Sequence, residues 1–132
     1  MSTAAPMATP LKQAAVLRFS DKTVLALFAN SKAVSKNFVS ETIAKQQGAK
    51  PIVPGKKYTT QGADVALHYT LDPHGRIYAI VSSAEFSPRI VFMALDELKV
   101  TFAKDFGPKC SSATENSLSK AAGPLLSGIL QK

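Results

Sequence analysis

The chain has 132 residues, of which 45% are hydrophobic and 19% are charged. This composition fits one compact domain and excludes a largely disordered protein. No apolar run approaches the roughly 18 residues of a membrane-spanning helix, and the first ten residues lack the charged and apolar regions of a signal peptide. The lone cysteine, Cys110, cannot form an internal disulfide, which favours a reducing compartment such as the cytosol.

The net charge of +7 arises mainly in the first half of the chain, where residues 1–66 hold nine basic and three acidic residues. A basic surface is predicted from Lys32, Lys36, Lys45, Lys50, Lys56 and Lys57. Such a surface attracts anionic lipid headgroups, nucleic acid or acidic proteins, but it also serves simply to keep a domain soluble. Charge alone therefore identifies no partner.

Residues 1–10 are small, uncharged and interrupted by proline, and they are predicted to form a flexible arm before one domain spanning residues 11–132. Two segments rich in Val, Leu and Phe, residues 14–19 and 23–29, predict a β-hairpin. A helix is predicted next. This helix ends at Gly48, and its apolar residues recur at helical spacing. These residues are Val34, Phe38, Val39 and Ile43.

Three β-strands are predicted after this helix. Residues 57–61 are few and polar, as in an edge strand. Residues 65–71 alternate between two faces, and residues 76–83 are almost continuously apolar, which predicts a strand buried on both faces. Between the last two strands, Asp72-Pro73-His74-Gly75 predicts a tight turn that places glycine in the left-handed conformation.

Two helices are predicted at the end of the chain. The first spans residues 87–106, with Ser87 as its N-cap and Gly107-Pro108 as its stop. Its inner face is predicted to contain Val91, Ala94, Leu95, Leu98 and Phe102, with Phe92 and Val100 widening the apolar surface. The second starts at Ser112 and is kinked or split at Gly123-Pro124. Its apolar side is predicted to hold Leu118, Leu125, Leu126, Ile129 and Leu130.

The order β-β-α-β-β-β-α-α predicts an α+β fold with a mainly antiparallel sheet covered by helices on both faces. Catalytic, cofactor-binding and metal-binding residues are not expected, because no phosphate loop, nucleophile elbow or metal-ligand spacing occurs. His68 and His74 are interpreted as ordinary strand and turn residues, and Cys110 as a loop thiol. Nucleic-acid binding is not expected, because the lysine-rich segment lacks interleaved aromatic residues.

Three segments, in this order and spacing, resemble the longin domain of R-SNAREs, with most likeness to the prenylated branch. Residues 37–49, NFVSETIAKQQGA, are similar to the first longin helix. Residues 59–83, TTQGADVALHYTLDPHGRIYAIVSS, are similar to the three strands that follow it. Residues 85–107, EFSPRIVFMALDELKVTFAKDFG, are similar to the aromatic and proline-containing entry to the long helix. The resemblance covers about Leu11 to Lys132.

The resemblance implies a profilin-like fold, in which a five-stranded antiparallel sheet carries the first helix on one face and the last two on the other. It also implies a regulatory domain and not an enzyme, acting in vesicle-mediated transport and membrane fusion. In this family an apolar groove between the first helix and the third strand holds the SNARE segment or a sorting adaptor. The matching positions are Val34, Phe38, Ile43, Tyr58 and Thr60. The competing interpretation is that Phe38 is a core residue.

The expected partners are the downstream SNARE segment, other SNAREs and trafficking adaptors, with peripheral contact to anionic membranes. No SNARE heptad run, membrane anchor or prenylation motif occurs up to Lys132. The anchor is therefore expected outside this chain, on the cytosolic face of vesicle, Golgi, ER or endosomal membranes. Two alternatives stay open: a stand-alone longin-like subunit of a coat or tethering complex, and a basic lipid- or RNA-binding domain. Profilin itself is disfavoured because the chain has no tryptophan.

Overall fold

The structure is a computed structural model that describes residues 11–19, 23–29, 38–49, 53–61, 65–73, 75–84, 86, 88–106 and 118–130. Its strands are β1 (Leu11–Arg18), β2 (Thr23–Ala29), β3 (Lys57–Gln61), β4 (Val65–Leu71) and β5 (Arg76–Ser83). Its helices are α1 (Phe38–Ala49), α2 (Pro88–Phe106) and α3 (Ser119–Leu130). The predicted order of elements is confirmed. The predicted arm, residues 1–10, lies outside the described residues.

The five strands form one antiparallel sheet in the order β2-β1-β5-β4-β3. Strand β3 lies at one edge, as its polar sequence predicts. Strand β5 lies between β1 and β4, and it is buried from Arg76 to Ser82. This burial on both faces explains its nearly continuous apolar sequence.

Each face of the sheet has its own apolar core. We call the first the α1 core: it consists of Ala15, Leu17, Val24, Val39, Ile43, Leu67, Tyr69, Leu71, Ile77, Ala79 and Val81. The second, the α2–α3 core, combines strand residues such as Val16, Tyr78 and Ile80 with the inner faces of α2 and α3. One helix therefore covers one face and two helices cover the other, as expected.

A buried charge network holds the turn between β4 and β5. Gly75 has a φ angle of 83°, which confirms the predicted left-handed glycine. The Asp72 carboxylate accepts hydrogen bonds from the Arg76 backbone N–H at 2.9 Å, from Arg76 Nε at 2.7 Å and from the Tyr78 hydroxyl at 3.1 Å. The turn was predictable from its residue types, but this network was not, because it depends on the pairing of the two strands.

The start of α3 contacts the outer edge of β2. The Leu118 N–H donates to the Leu25 carbonyl at 2.9 Å, and the Leu27 N–H donates to Ser119 Oγ at 3.0 Å. Leu25 is the extra residue on β2 where the pairing register shifts between Val16 and Leu17. Backbone groups at this edge therefore have partners outside the sheet.

Two details of the helices differ from the sequence-based expectation. Helix α3 runs continuously through Pro124, so it is not split there, and the alternative expectation of a kink at Gly123-Pro124 stays a prediction. Pro124 is the sixth of the twelve residues of α3, where it removes the bond to the carbonyl four residues earlier and crowds that carbonyl, while Ala122, Leu126 and Ile129 keep the helix packed on the core. On α2, Val100 does not widen the buried surface, since it is 66% exposed.

Candidate functional site

The helical part of the predicted groove begins at Phe38. Val39 and Ile43 are fully buried in the α1 core, whereas Phe38, the first residue of α1, is half-buried against the same core. Adjacent helical residues point about 100° apart, so the Val39 side chain points into the α1 core and the Phe38 side chain lies at the edge of that core. Phe38 therefore both packs and remains accessible. Val34 lies outside the described residues.

The strand part of the groove comes from alternate residues of β3. Tyr58 and Thr60 are half-buried, while Lys57, Thr59 and Gln61 are exposed. Tyr58 pairs with Tyr69 on β4, and their rings stack with centroids 5.3 Å apart and planes 17° apart. The Tyr58 hydroxyl accepts a hydrogen bond from the Val53 N–H at 2.8 Å. These contacts hold the Tyr58 ring against the α1 core.

Tyr69 is a residue of this region that the motif comparison missed. Burial raises the pKa of its hydroxyl, and a hydrogen bond with the Thr60 side chain partly opposes that rise. The Tyr69 side chain therefore stays neutral at physiological pH, and its ring gives the Tyr58 ring an apolar surface to stack on. The alternation of residues 65–71 was the signal that could have identified it, because Tyr69 shares a face with Leu67 and Leu71.

Phe38, Ile43 and Tyr58 thus contact one core, and Thr60 lies on the same face of β3 as Tyr58. Of the two half-buried rings, that of Tyr58 belongs to the edge strand β3. The described residues of the site are apolar and aromatic. Such an arrangement can bind an apolar segment.

The structure separates two of the predicted basic residues. Lys45 is exposed on α1, on one face of the sheet. Lys57 contacts α2 on the other face: its Nζ lies 3.0 Å from Asp96 Oδ2 and 6.0 Å from the Phe92 ring centroid. Lys56 is exposed just before β3. The other three lysines of the predicted surface, Lys32, Lys36 and Lys50, lie outside the described residues, as do His74 and Cys110.

His68 is buried on the α2 side of β4 and bridges two neighbouring strands. Its Nε2 lies 3.0 Å from Ser82 Oγ, and its Nδ1 lies 3.0 Å from Thr59 Oγ1. Because the Ser82 hydroxyl donates to the Ser83 carbonyl, it accepts from Nε2–H, which leaves Nδ1 to accept from Thr59. The Phe92 ring meets the imidazole edge-on at 5.6 Å. His68 therefore serves as a neutral link between strands.

Stability is expected to fall on acidification because of His68. Burial lowers the pKa of this imidazole below its ordinary 6.5. As pH falls, the imidazole therefore takes up its proton at a higher pH in the unfolded chain than in the folded one. The contribution of His68 to the free energy of unfolding is complete above pH 6.5 and is lost as pH falls toward the lowered pKa. The slope is at most about 1.4 kcal/mol per pH unit.

This pH dependence can be measured by urea unfolding between pH 7.5 and pH 5 in a His74→Gln background, where His68 is the sole histidine. Adding His68→Gln should flatten the part of the profile between neutral pH and the lowered pKa. An unchanged profile would contradict the assignment.

Among the described residues, no group of three or more His, Cys, Asp or Glu side chains is arranged to hold a metal ion. In the same part of the chain, no helix combines the length and apolar character that crossing a bilayer requires.

Comparison with protein families gives one match. The family model named Longin, described as a regulated-SNARE-like domain, matches residues 25–124, about three quarters of the chain. The matched stretch runs from β2 into α3 and includes the residues from Val34 to Thr60 that are predicted to line a groove. The chain belongs to the longin family. No curated protein matches this longin domain in sequence. Its α+β architecture is the profilin-like fold, and the family is associated with SNAREs and membrane trafficking.

Proposed function

We propose that this longin domain regulates a vesicle R-SNARE by docking an apolar segment of that SNARE, or of a sorting adaptor, between α1 and β3. The observation that supports it best is the pair of half-buried rings, Phe38 and Tyr58, over the α1 core. Full burial of each ring would add stability, so a domain with no binding role gains little from leaving two aromatic rings partly exposed at the edge of the α1 core.

The edge strand supplies a second element of the proposed docking. In an antiparallel pair, alternate residues bond to the neighbouring strand, and the others direct their N–H and C=O groups away from it. On β3 the inner neighbour is β4, and no other described strand lies on the outer side. An extended segment could therefore bond to β3 while its apolar side chains contact Tyr58 and Phe38.

The proposal includes partners and location. The bound segment is the SNARE's own coiled-coil sequence in a closed state, and release of that segment frees it for other SNAREs. Trafficking adaptors compete for the same groove. The domain acts on the cytosolic face of vesicle, Golgi, ER or endosomal membranes, through an anchor outside this chain. Membership of a regulated-SNARE-like family supports this assignment.

The test is Phe38→Glu, which places a carboxylate where an apolar segment would dock. We expect binding of R-SNARE coiled-coil peptides to weaken by at least about tenfold, or 1.4 kcal/mol. Binding is measured from amide chemical-shift changes in NMR titrations with a panel of such peptides. The matched control is Phe28→Glu, because Phe28 is also a half-buried phenylalanine but packs on the α2–α3 core.

Three outcomes would contradict the proposal. Equal losses of binding in the Phe38 and Phe28 variants would indicate general destabilisation and not a groove. Unfolding of Phe38→Glu alone, seen by circular dichroism, would identify Phe38 as a core residue. If no R-SNARE peptide binds the unmodified domain, a stand-alone longin-like subunit becomes the better interpretation.

A further inference from the structure

Strand β3 is held from the side of the sheet opposite the groove. Its exposed residues, Lys57, Thr59 and Gln61, alternate with the half-buried ones, so they share the face that α2 covers. The Thr59 hydroxyl lies 3.0 Å from Nδ1 of His68 on β4, and Lys57 Nζ lies 3.0 Å from Asp96 Oδ2 on α2. Two polar contacts therefore join β3 to other elements on the side away from the groove.

The two contacts meet at one short stretch of α2. The Phe92 ring lies edge-on to His68, with ring centroids 5.6 Å apart, and its centroid is 6.0 Å from Lys57 Nζ. Asp96 follows Phe92 by four residues, which places both side chains on the same side of the helix. One turn of α2 thus contacts both the strand residue Lys57 and the histidine that bonds to Thr59.

Side-chain contacts matter at this edge because β3 has five residues and a single neighbour, β4, among the described strands. Edge segments with partly exposed backbone bonds open locally at a small cost in free energy. A docked segment that uses β3 as its neighbouring strand must also order β3 when that strand is loose, and the ordering subtracts from the binding free energy. Contacts that keep β3 in place therefore strengthen docking.

We propose that Asp96 and His68 are positioning residues for the groove, although neither lies in it. Through Lys57 and Thr59, they hold β3 where the strand can receive a docked segment. This inference rests on the proposed docking function and concerns the regulation of that same site. Because Asp96 belongs to α2, the groove on one face of the sheet is coupled to a helix on the other face. A change at this turn of α2 alters the affinity of the groove without contacting a docked segment.

The test compares Asp96→Asn combined with Thr59→Val against the unmodified domain. Each substitution nearly preserves the size of its side chain and removes one of the two contacts. Hydrogen exchange of the β3 amides, followed by NMR, should become at least about threefold faster, while the β1 amides keep their rates. R-SNARE coiled-coil peptides should bind this double variant at least about threefold more weakly than the unmodified domain.

The matched control is Asp105→Asn, which removes an exposed aspartate further along the same helix and should change neither the exchange rates nor the affinity. A charge-reversed pair tests the contact itself. Lys57→Glu combined with Asp96→Lys should restore both quantities relative to Lys57→Glu alone, which a general effect on stability would not do.

Four outcomes would overturn the inference: unchanged exchange in β3, equal acceleration in β1, unchanged peptide affinity, or no rescue by the charge-reversed pair. Failure of this inference is distinguishable from failure of the groove. If Phe38→Glu weakens peptide binding and the Asp96→Asn, Thr59→Val variant does not, the groove stands and the positioning role is wrong. If no peptide binds the unmodified domain, the proposed function fails and this inference fails with it.

Discussion

Replacing Asp72 with alanine is expected to lower the free energy of unfolding by about 3–5 kcal/mol, because it leaves a buried cation without its carboxylate. The Asp72 side chain is only 4% exposed and that of Arg76 only 9%. The loss would also remove the acceptor of the Tyr78 hydroxyl at the end of the α2–α3 core. Urea unfolding followed by circular dichroism measures the change.

Two further variants test whether the buried charge is the cause. Replacing Asp72 and Arg76 together by apolar residues of similar size should cost less than Asp72→Ala alone, because no charge then stays buried. Asp105→Ala, an exposed aspartate on α2, should change stability by less than about 0.5 kcal/mol. If the double variant is less stable than Asp72→Ala, the attraction within the ion pair contributes more to the free energy of unfolding than burial of its two charges costs.

Phe102→Ala should be comparably destabilising, by about 3–5 kcal/mol. Phe102 is fully buried and lies edge-on to Tyr78, with ring centroids 6.1 Å apart, and 5.0 Å from the Phe106 ring. Alanine would leave a cavity between α2 and the sheet that the surrounding side chains can fill only partly.

The control for Phe102 is its near neighbour Val100, which faces away from the sheet. Val100→Ala should alter stability by no more than about 0.5 kcal/mol, because the side chain is 66% exposed. Thermal or urea unfolding of both variants would therefore report the orientation of α2. A large effect at Val100 and a small one at Phe102 would contradict the orientation described above.

Most of the fold could be predicted because its signals are local. The limits of β3, β4 and β5 follow from turn residues and from period-two alternation, and the structure reproduces them. Helix α2 follows from a proline at its start and a regular apolar face. The split that Gly123-Pro124 suggested does not occur, because packing of α3 against the core offsets the backbone bond that Pro124 removes.

The features that could not be predicted depend on distant pairing. The stacking of Tyr58 on Tyr69 requires the register of β3 and β4, and the Lys57–Asp96 pair requires α2 to lie beside β3. Residue types along the chain do not specify either relation. The exposure of Met93 and Val100 was equally hidden, since an apolar residue on a helix has core packing as its default interpretation.

The hydrogen bonds that join Leu118 and Ser119 with β2 affect how copies of this protein can assemble. Two backbone groups of β2, the Leu25 carbonyl and the Leu27 N–H, bond to residues at the start of α3, so a further strand would have to displace that helix to pair with β2, whereas no described strand or helix bonds to the outer side of β3. A sheet with two open edges can add copies without limit, which is the route to fibrils. Here, two copies joined through β3 would have no second edge to offer, and growth would stop at a pair. The chain can therefore present β3, which has no second neighbour among the described strands, to partners with little risk of polymerising.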